Sequence, residues 1–179
     1  MSVTTLHLET VPSPIGDALL VLAEDGALVA LDWADCRARL DGWLSARFDG
    51  HEIAPREAAS EAADAVRRFF AGETTALDAV PVDAGGTDFQ AAVWAHLRTI
   101  PPGTTTTYGA IADALGSPGA VRAVGAANGR NPISLVLPCH RVIGSDGALR
   151  GYAGGVARKR WLLQHEGAHV PAEQTSLFG

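Results

Sequence analysis

The chain has 179 residues, 47% of them hydrophobic and 19% charged, enough to bury one sizeable core or two small ones without disulfide staples. No 18-residue apolar run is present, and the segment from Met1 to Thr10 lacks the basic and apolar stretches of a secretion signal, so neither a membrane span nor export is expected and the location is read as cytoplasmic. The net charge of −6 argues against a nucleic-acid partner only if it is spread evenly, and it is not: residues 1–84 carry 6 basic and 15 acidic side chains (−9), residues 85–170 carry 8 and 4 (+4), and the last nine carry Glu173 alone. The basic second part is therefore expected to meet phosphates, with chance clustering on a solvated surface as the plainer alternative.

In the first part, Thr4 to Leu8, Ala18 to Leu22 and Leu28 to Trp33 are β-type runs, with Pro12, Pro14, Gly16 and Gly26 at the turns. They predict a small antiparallel sheet. A helix from Glu57 to Ala71, apolar at Ala58, Ala62, Ala65, Val66, Phe69 and Phe70 and stopped by Gly72, is expected to pack on it. Residues 73–87, ending in Gly85 and Gly86, read as a connection. The expected division is 1–84 as an α/β support domain with its linker, 85–170 as the functional domain and 171–179 as a flexible tail.

The second part opens with Asp88 as a possible cap and a helix bearing Phe89, Ala92, Val93, Ala95, His96 and Leu97, ended by Ile100-Pro101-Pro102-Gly103. Thr107 to Leu115, the breakers Gly116-Ser117-Pro118-Gly119 and Ala120 to Asn128 then make a helix-turn-helix candidate. Its second helix is nearly bare. A major-groove reader needs long polar side chains, whereas small residues such as Ala120, Ala123 and Gly125 let a helix backbone approach a narrow groove while Arg122 enters the base stack. An Ala-rich core helix is the alternative.

The apolar run Ile133 to Leu137 then ends at Pro138-Cys139-His140-Arg141-Val142, as if a buried strand delivered a cysteine to its own end. Two cysteines, Cys36 and Cys139, make no disulfide framework, so each is either a core residue or a nucleophile. A free thiol with a pKa of about 8.5 is only a few per cent ionised near neutrality, so a nearby base matters. Strand neighbours point to opposite faces, so His140 is expected to act on Cys139 through a bridging water. A carboxylate at Glu166 is out of place at the negative end of the helix Ala157 to Gly167 and on its inward face. Pairing with His140 would explain both, in a relay of Cys139, water, His140 and Glu166.

On these residues the segment Phe89 to Gly167 closely resembles the O6-alkylguanine-DNA alkyltransferases, particularly the bacterial constitutive type. The resemblance rests on Pro138-Cys139-His140-Arg141-Val142 and extends to Thr107-Tyr108-Gly109, Arg122-Ala123-Val124-Gly125, Asn131-Pro132, Gly151-Tyr152-Ala153-Gly154-Gly155 and Leu162 to Gly167. It implies an α+β fold, with a ribonuclease H-like first domain and a mainly helical second domain built on a winged-helix-like helix-turn-helix. It implies direct-reversal DNA repair, in which a base in double-stranded DNA is flipped through the minor groove and its alkyl group moves irreversibly to Cys139, one lesion per molecule. Arg122 would fill the gap left by the base, and Tyr108 would ease the nucleotide out and protonate the departing guanine. Asn131 would tie the recognition helix to the nucleophile segment, and Val142, Tyr152, Ala153 and Ser134 would line the pocket. A monomer needing no cofactor is implied.

Two departures bear on this. Some relatives carry a serine where Ala153 stands, which leaves the contact to the alkylated oxygen to a backbone amide and the choice between guanine and thymine lesions open. Some hold a zinc in the first domain, but His7, Cys36 and His51 offer no close-spaced pair, so no metal is expected. The ending Gln174-Thr175-Ser176-Leu177-Phe178 resembles the peptides that dock on bacterial sliding clamps, through Gln174, Leu177 and Phe178. The rival functions are a non-reactive alkyl-lesion sensor, which the cysteine opposes, a helix-turn-helix regulator, which would want polar base readers, and a cysteine hydrolase, which would need an oxyanion hole.

Overall fold

In a computed structural model describing residues 2–56 and 58–171, the three β-type runs form strands β1 (Thr4–Val11), β2 (Ala18–Leu22) and β3 (Leu28–Trp33), paired antiparallel as expected. Alternation along the strands sorts side chains between two layers. Leu6, Leu19, Val21 and Val29 face a helix, α1 (Arg37–Arg47), which contributes Leu40 and Leu44. Leu20, Leu22, Leu31 and Trp33 face the rest of the molecule.

A fourth strand, β4 (His51–Pro55), joins the free side of β1 in parallel register, so the sheet is mixed, with order β3-β2-β1-β4. Neither α1 nor β4 stood out in the sequence. The helix buries only Leu40 and Leu44, one turn apart among charged residues, and β4 is an edge strand rich in residues of low strand propensity. The helix expected from Glu57 is α2 (Glu61–Phe70): the Ser60 hydroxyl accepts from the Ala63 amide at 3.0 Å and sets its start, which leaves Ala58 outside and exposed.

In the second part, α3 (Asp88–Leu97) is capped by Thr87 rather than Asp88, in a capping box closed by Gln90. Its buried face is Val93, Trp94 and Leu97, while Ala92 and Ala95 point outward, because the large indole overrides the small apolar residues in choosing the inner face. Strand β5 (Thr106–Thr107) leads into α4 (Tyr108–Ala114), and α5 (Val121–Gly129) follows the tight turn. Trp94 donates its indole N–H to the Ala127 carbonyl at 2.9 Å, tying α3 to α5. Strand β6 (Val142–Ile143) pairs parallel with β5, and α6 (Val156–His165) is the last described element.

One continuous apolar cluster runs from Leu31 and Trp33 through Val66 and Phe69 to Val93, Ile111, Val124 and Leu162, and it includes Cys139. The connecting segment is itself stitched to the sheet, with Leu28 N–H donating to Pro81 O and Asp83 N–H to Leu28 O, both at 2.9 Å. No described helix is long and apolar enough to cross a membrane.

Candidate active site

The run Ile133 to Leu137 is not a strand. It folds into consecutive tight turns in which Leu135 takes a left-handed conformation (φ +74°), and only Ile133 forms a β-bridge, to Leu31. Asn131 is the physical reason. Its Oδ1 accepts from the Ile133 amide at 2.9 Å and its Nδ2 donates to the Leu137 carbonyl at 2.7 Å, so one buried side chain pinches the run into a loop. Leu31 N–H donates to Pro132 O and Ser134 N–H to Leu31 O, both at 3.0 Å, docking the loop on the edge strand β3.

The loop delivers Cys139, only 4% exposed, to the start of a single turn of 3-10 helix, Cys139–Arg141. Pairing of Thr106 with Val142 and of Thr107 with Ile143 then sets the first residue of α4, Tyr108, beside the cysteine segment.

Because the backbone turns at Cys139, His140 and Arg141 both reach Glu166, the C-cap of α6. His140 Nε2 pairs with Glu166 Oε1, while Arg141 places Nε 2.7 Å and Nη2 2.6 Å from Oε2 and donates from Nη1 to the Ile100 carbonyl at 2.6 Å. The carboxylate and the imidazole are fully buried. Burial alone would push the Glu166 carboxyl up, but the bonds and charges of His140 and Arg141 outweigh it, and the group is held below the usual carboxylate range. Burial pulls His140 down, leaving a neutral imidazole in spite of Glu166. Its Nδ1 is buried without a hydrogen-bond partner among the described residues. Arg141 as second partner of Glu166 was overlooked in the sequence, because strand geometry would have turned it away.

Lys159 was also missed, although it is the sole lysine among 14 basic residues. It is fully buried in α6 and donates from Nζ to the carbonyls of Val142 at 2.5 Å and Arg150 at 2.9 Å. A compact ammonium with rotatable donors suits two carbonyls in a tight space better than a planar guanidinium. Burial pulls its pKa down to about 8, while burial pushes the Cys139 thiol up, opposed by Asn131 and by the Lys159 charge. A base with a lowered folded pKa releases its proton in the folded state first, so between about pH 8 and its usual value stability rises with pH. Observed by NMR, the single lysine side chain is expected to titrate near 8, and Lys159→Met should lack that rise. A midpoint in the ordinary lysine range would contradict the buried position.

The bare helix α5 divides cleanly. Val124, Ala127 and Asn128 face the core, while Arg122 and Ala123 are exposed and Ala120 and Gly125 half-buried, so the core reading describes one side of the helix and the residues expected to meet DNA lie outside that side. Tyr108 is half-buried, and burial together with the nearby Cys139 raises its pKa. Ser134, Val142 and Tyr152 are buried around the cysteine segment. Ala153 is exposed, and its carbonyl accepts from Arg39 Nη1 at 2.6 Å. Arg39, paired with Asp32 through contacts of 2.7 and 2.6 Å, thus reaches the expected pocket from the first part, a link that sequence separation concealed. Among the described residues no group of three or more His, Cys, Asp or Glu side chains is placed to hold a metal. Gln174, Leu177 and Phe178 lie outside the described residues.

A helix-turn-helix set beside a cysteine, with a buried imidazole and carboxylate behind it, defines a DNA-binding protein built around one nucleophilic thiol. Residues 88–168 match the family model described as 6-O-methylguanine DNA methyltransferase, DNA binding domain. The methylated-DNA--protein-cysteine methyltransferase of Shigella flexneri is 46% identical over 161 residues, covering 89% of this chain and 94% of that protein. Among solved structures, Mycobacterium tuberculosis OGT in complex with DNA superposes with a TM-score of 0.75 at 44% identity, covering 93% of this chain and 96% of that one. The O6-methylguanine-DNA methyltransferase of Pyrococcus kodakaraensis matches at 0.70 and 27%, covering 91% and 99%. The chain belongs to the methylated-DNA--protein-cysteine methyltransferase family.

Proposed function

We propose that this protein repairs alkylated DNA by direct reversal, taking the alkyl group of an O6-alkylguanine, and of an O4-alkylthymine, onto Cys139. The observation that carries the reading is the buried pair of His140 and Glu166 beside a buried thiol, with His140 Nδ1 unpartnered. Burial disfavours the thiolate, so the thiol needs a base, and a neutral imidazole oriented by a carboxylate is one. The Cys139 proton passes through a water to His140, and Glu166 stabilises the imidazolium. The sulfur attacks the alkyl carbon, a carbon–sulfur bond forms, the carbon–oxygen bond breaks, and its electron pair enters the guanine, which takes a proton from Tyr108. The product thioether has no thiol-exchange route back, so each molecule acts once.

The exposed face of α5 enters the minor groove of duplex DNA, where Ala120, Ala123 and Gly125 permit close approach and Arg122 takes the place of the flipped base. Val142, Tyr152, the backbone of Ala153, and Ser134 line the pocket, and Asn131 holds the acceptor loop to the helix. The charge split supports a division of labour between a support part, 1–84, and an acceptor part, 85–170. The protein acts as a cytoplasmic monomer without a cofactor, in a compartment that keeps both thiols reduced, and Gln174, Leu177 and Phe178 dock on a sliding clamp.

The test is intact-protein mass after mixing with a duplex carrying one O6-methylguanine, followed by fragmentation of the modified peptide. A gain of about one methylene, roughly 14 Da, once per molecule and located on Cys139 is expected. Tight lesion binding without a mass gain would make the protein a damage sensor instead.

A further inference from the structure

Trp33, the last residue of β3, is fully buried and packs against the segment that carries Tyr152 and Ala153. A Cβ built on Gly154 would lie 2.8 Å from Trp33 Nε1, 2.9 Å from its Cδ1 and 2.8 Å from Tyr152 Cε1. The indole edge, the glycine backbone and the tyrosine ring therefore leave no space between them. The Arg158 guanidinium lies 5.1 Å from the indole centroid and donates to Gly154 O at 3.0 Å and to Ile15 O at 2.8 Å, with Asp35 at 2.9 Å. One residue earlier, Arg39 donates to Ala153 O. Arg39 of α1 and Arg158 of α6 thus hold this stretch of backbone at two consecutive carbonyls, and Trp33 at the end of β3 packs against it.

Two polar atoms are left over at this contact. Trp33 Nε1 and the Tyr152 hydroxyl are both buried, and neither has a hydrogen-bond partner in good geometry among the described residues, although the indole N–H lies where it would favour a tyrosinate. Gly154 lies so close to both rings that not even a methyl group fits there, which places the indole next to the Tyr152 ring at the sheet end.

We propose that Trp33 is a specificity-determining residue for alkyl transfer: as the back wall behind Tyr152, it sets how far that ring can withdraw, and hence how large an alkyl group reaches Cys139. The inference rests on the reading of Tyr152 and Ala153 as pocket residues. A methyl group needs no movement of Tyr152, whereas a benzyl group needs the ring to give way, so the wall discriminates between the two. Rejection by a wall of this kind is a matter of one or two packed groups, which corresponds to about tenfold in relative rate.

The test is the single-turnover rate of transfer from O6-methylguanine and from O6-benzylguanine, each in the same duplex, for wild type, Trp33→Leu and Trp33→Phe. In Trp33→Leu the benzyl-to-methyl rate ratio is expected to rise about tenfold with affinity for lesion-free duplex unchanged. Trp33→Phe keeps most of the volume and should move the ratio less, in the same direction, and it decides the matter should the leucine variant not fold. An unchanged ratio, or both rates falling together as a merely structural role would give, overturns the proposal. Wild type that transfers neither group would instead overturn the proposed function.

Discussion

Glu166→Gln is expected to lower the rate of alkyl transfer by about two to four orders of magnitude, the usual contribution of a positioned general base, and to destabilise the fold by about 3–5 kcal/mol. The substitution keeps the shape and removes the charge. Arg141, whose side chain is 6% exposed, then loses the carboxylate it shares with His140 and retains only the Ile100 carbonyl. Breaking a buried ion pair from one side leaves the other charge desolvated, which is why the cost exceeds that of a surface pair. His140 loses both its orientation and its source of basicity. Single-turnover quenching on an O6-methylguanine duplex and urea unfolding separate the two effects. A variant that is less stable but transfers at the wild-type rate would reduce Glu166 to a structural role.

The acid side of stability follows from the same carboxylate. Its folded pKa lies below the ordinary value, so its contribution is fully present above the usual carboxylate range and is lost as pH falls through the folded value. In Glu166→Gln that loss should be absent, giving a flatter acid limb.

Asn131→Ala is expected to cost several kcal/mol and to slow transfer without weakening binding of undamaged duplex. The side chain satisfies the buried amide of Ile133 and the buried carbonyl of Leu137, and each group left unsatisfied costs about 1–3 kcal/mol. It also holds the turn in which Leu135 adopts a left-handed conformation, a state that costs an ordinary residue about 1–2 kcal/mol. Released from Asn131, the loop can relax toward the extended form that its apolar residues prefer, and Cys139 two residues beyond Leu137 moves with it. Denaturation midpoints and single-turnover rates measure both effects. Wild-type stability in the variant would show that other contacts hold the loop.

Much of this was legible in the sequence because it is local. Three strands, α2, the helix-turn-helix and the grouping of Cys139, His140 and Glu166 follow from alternation, helical spacing, turn residues and a carboxylate where helix electrostatics disfavour one. Tertiary structure alone decided the rest, wherever a distant partner outweighed a local preference. Asn131 bends an apolar run into a loop, the turn at Cys139 brings Arg141 to Glu166, and burial of the sole lysine between two carbonyls makes Lys159 part of the site. Arg39 and Trp33 reach the segment Tyr152 to Gly154 from the opposite end of the chain. Periodicity reports which face of an element is buried; it carries no information about which remote side chain lies there, and for a buried polar group the identity of that partner sets its energy.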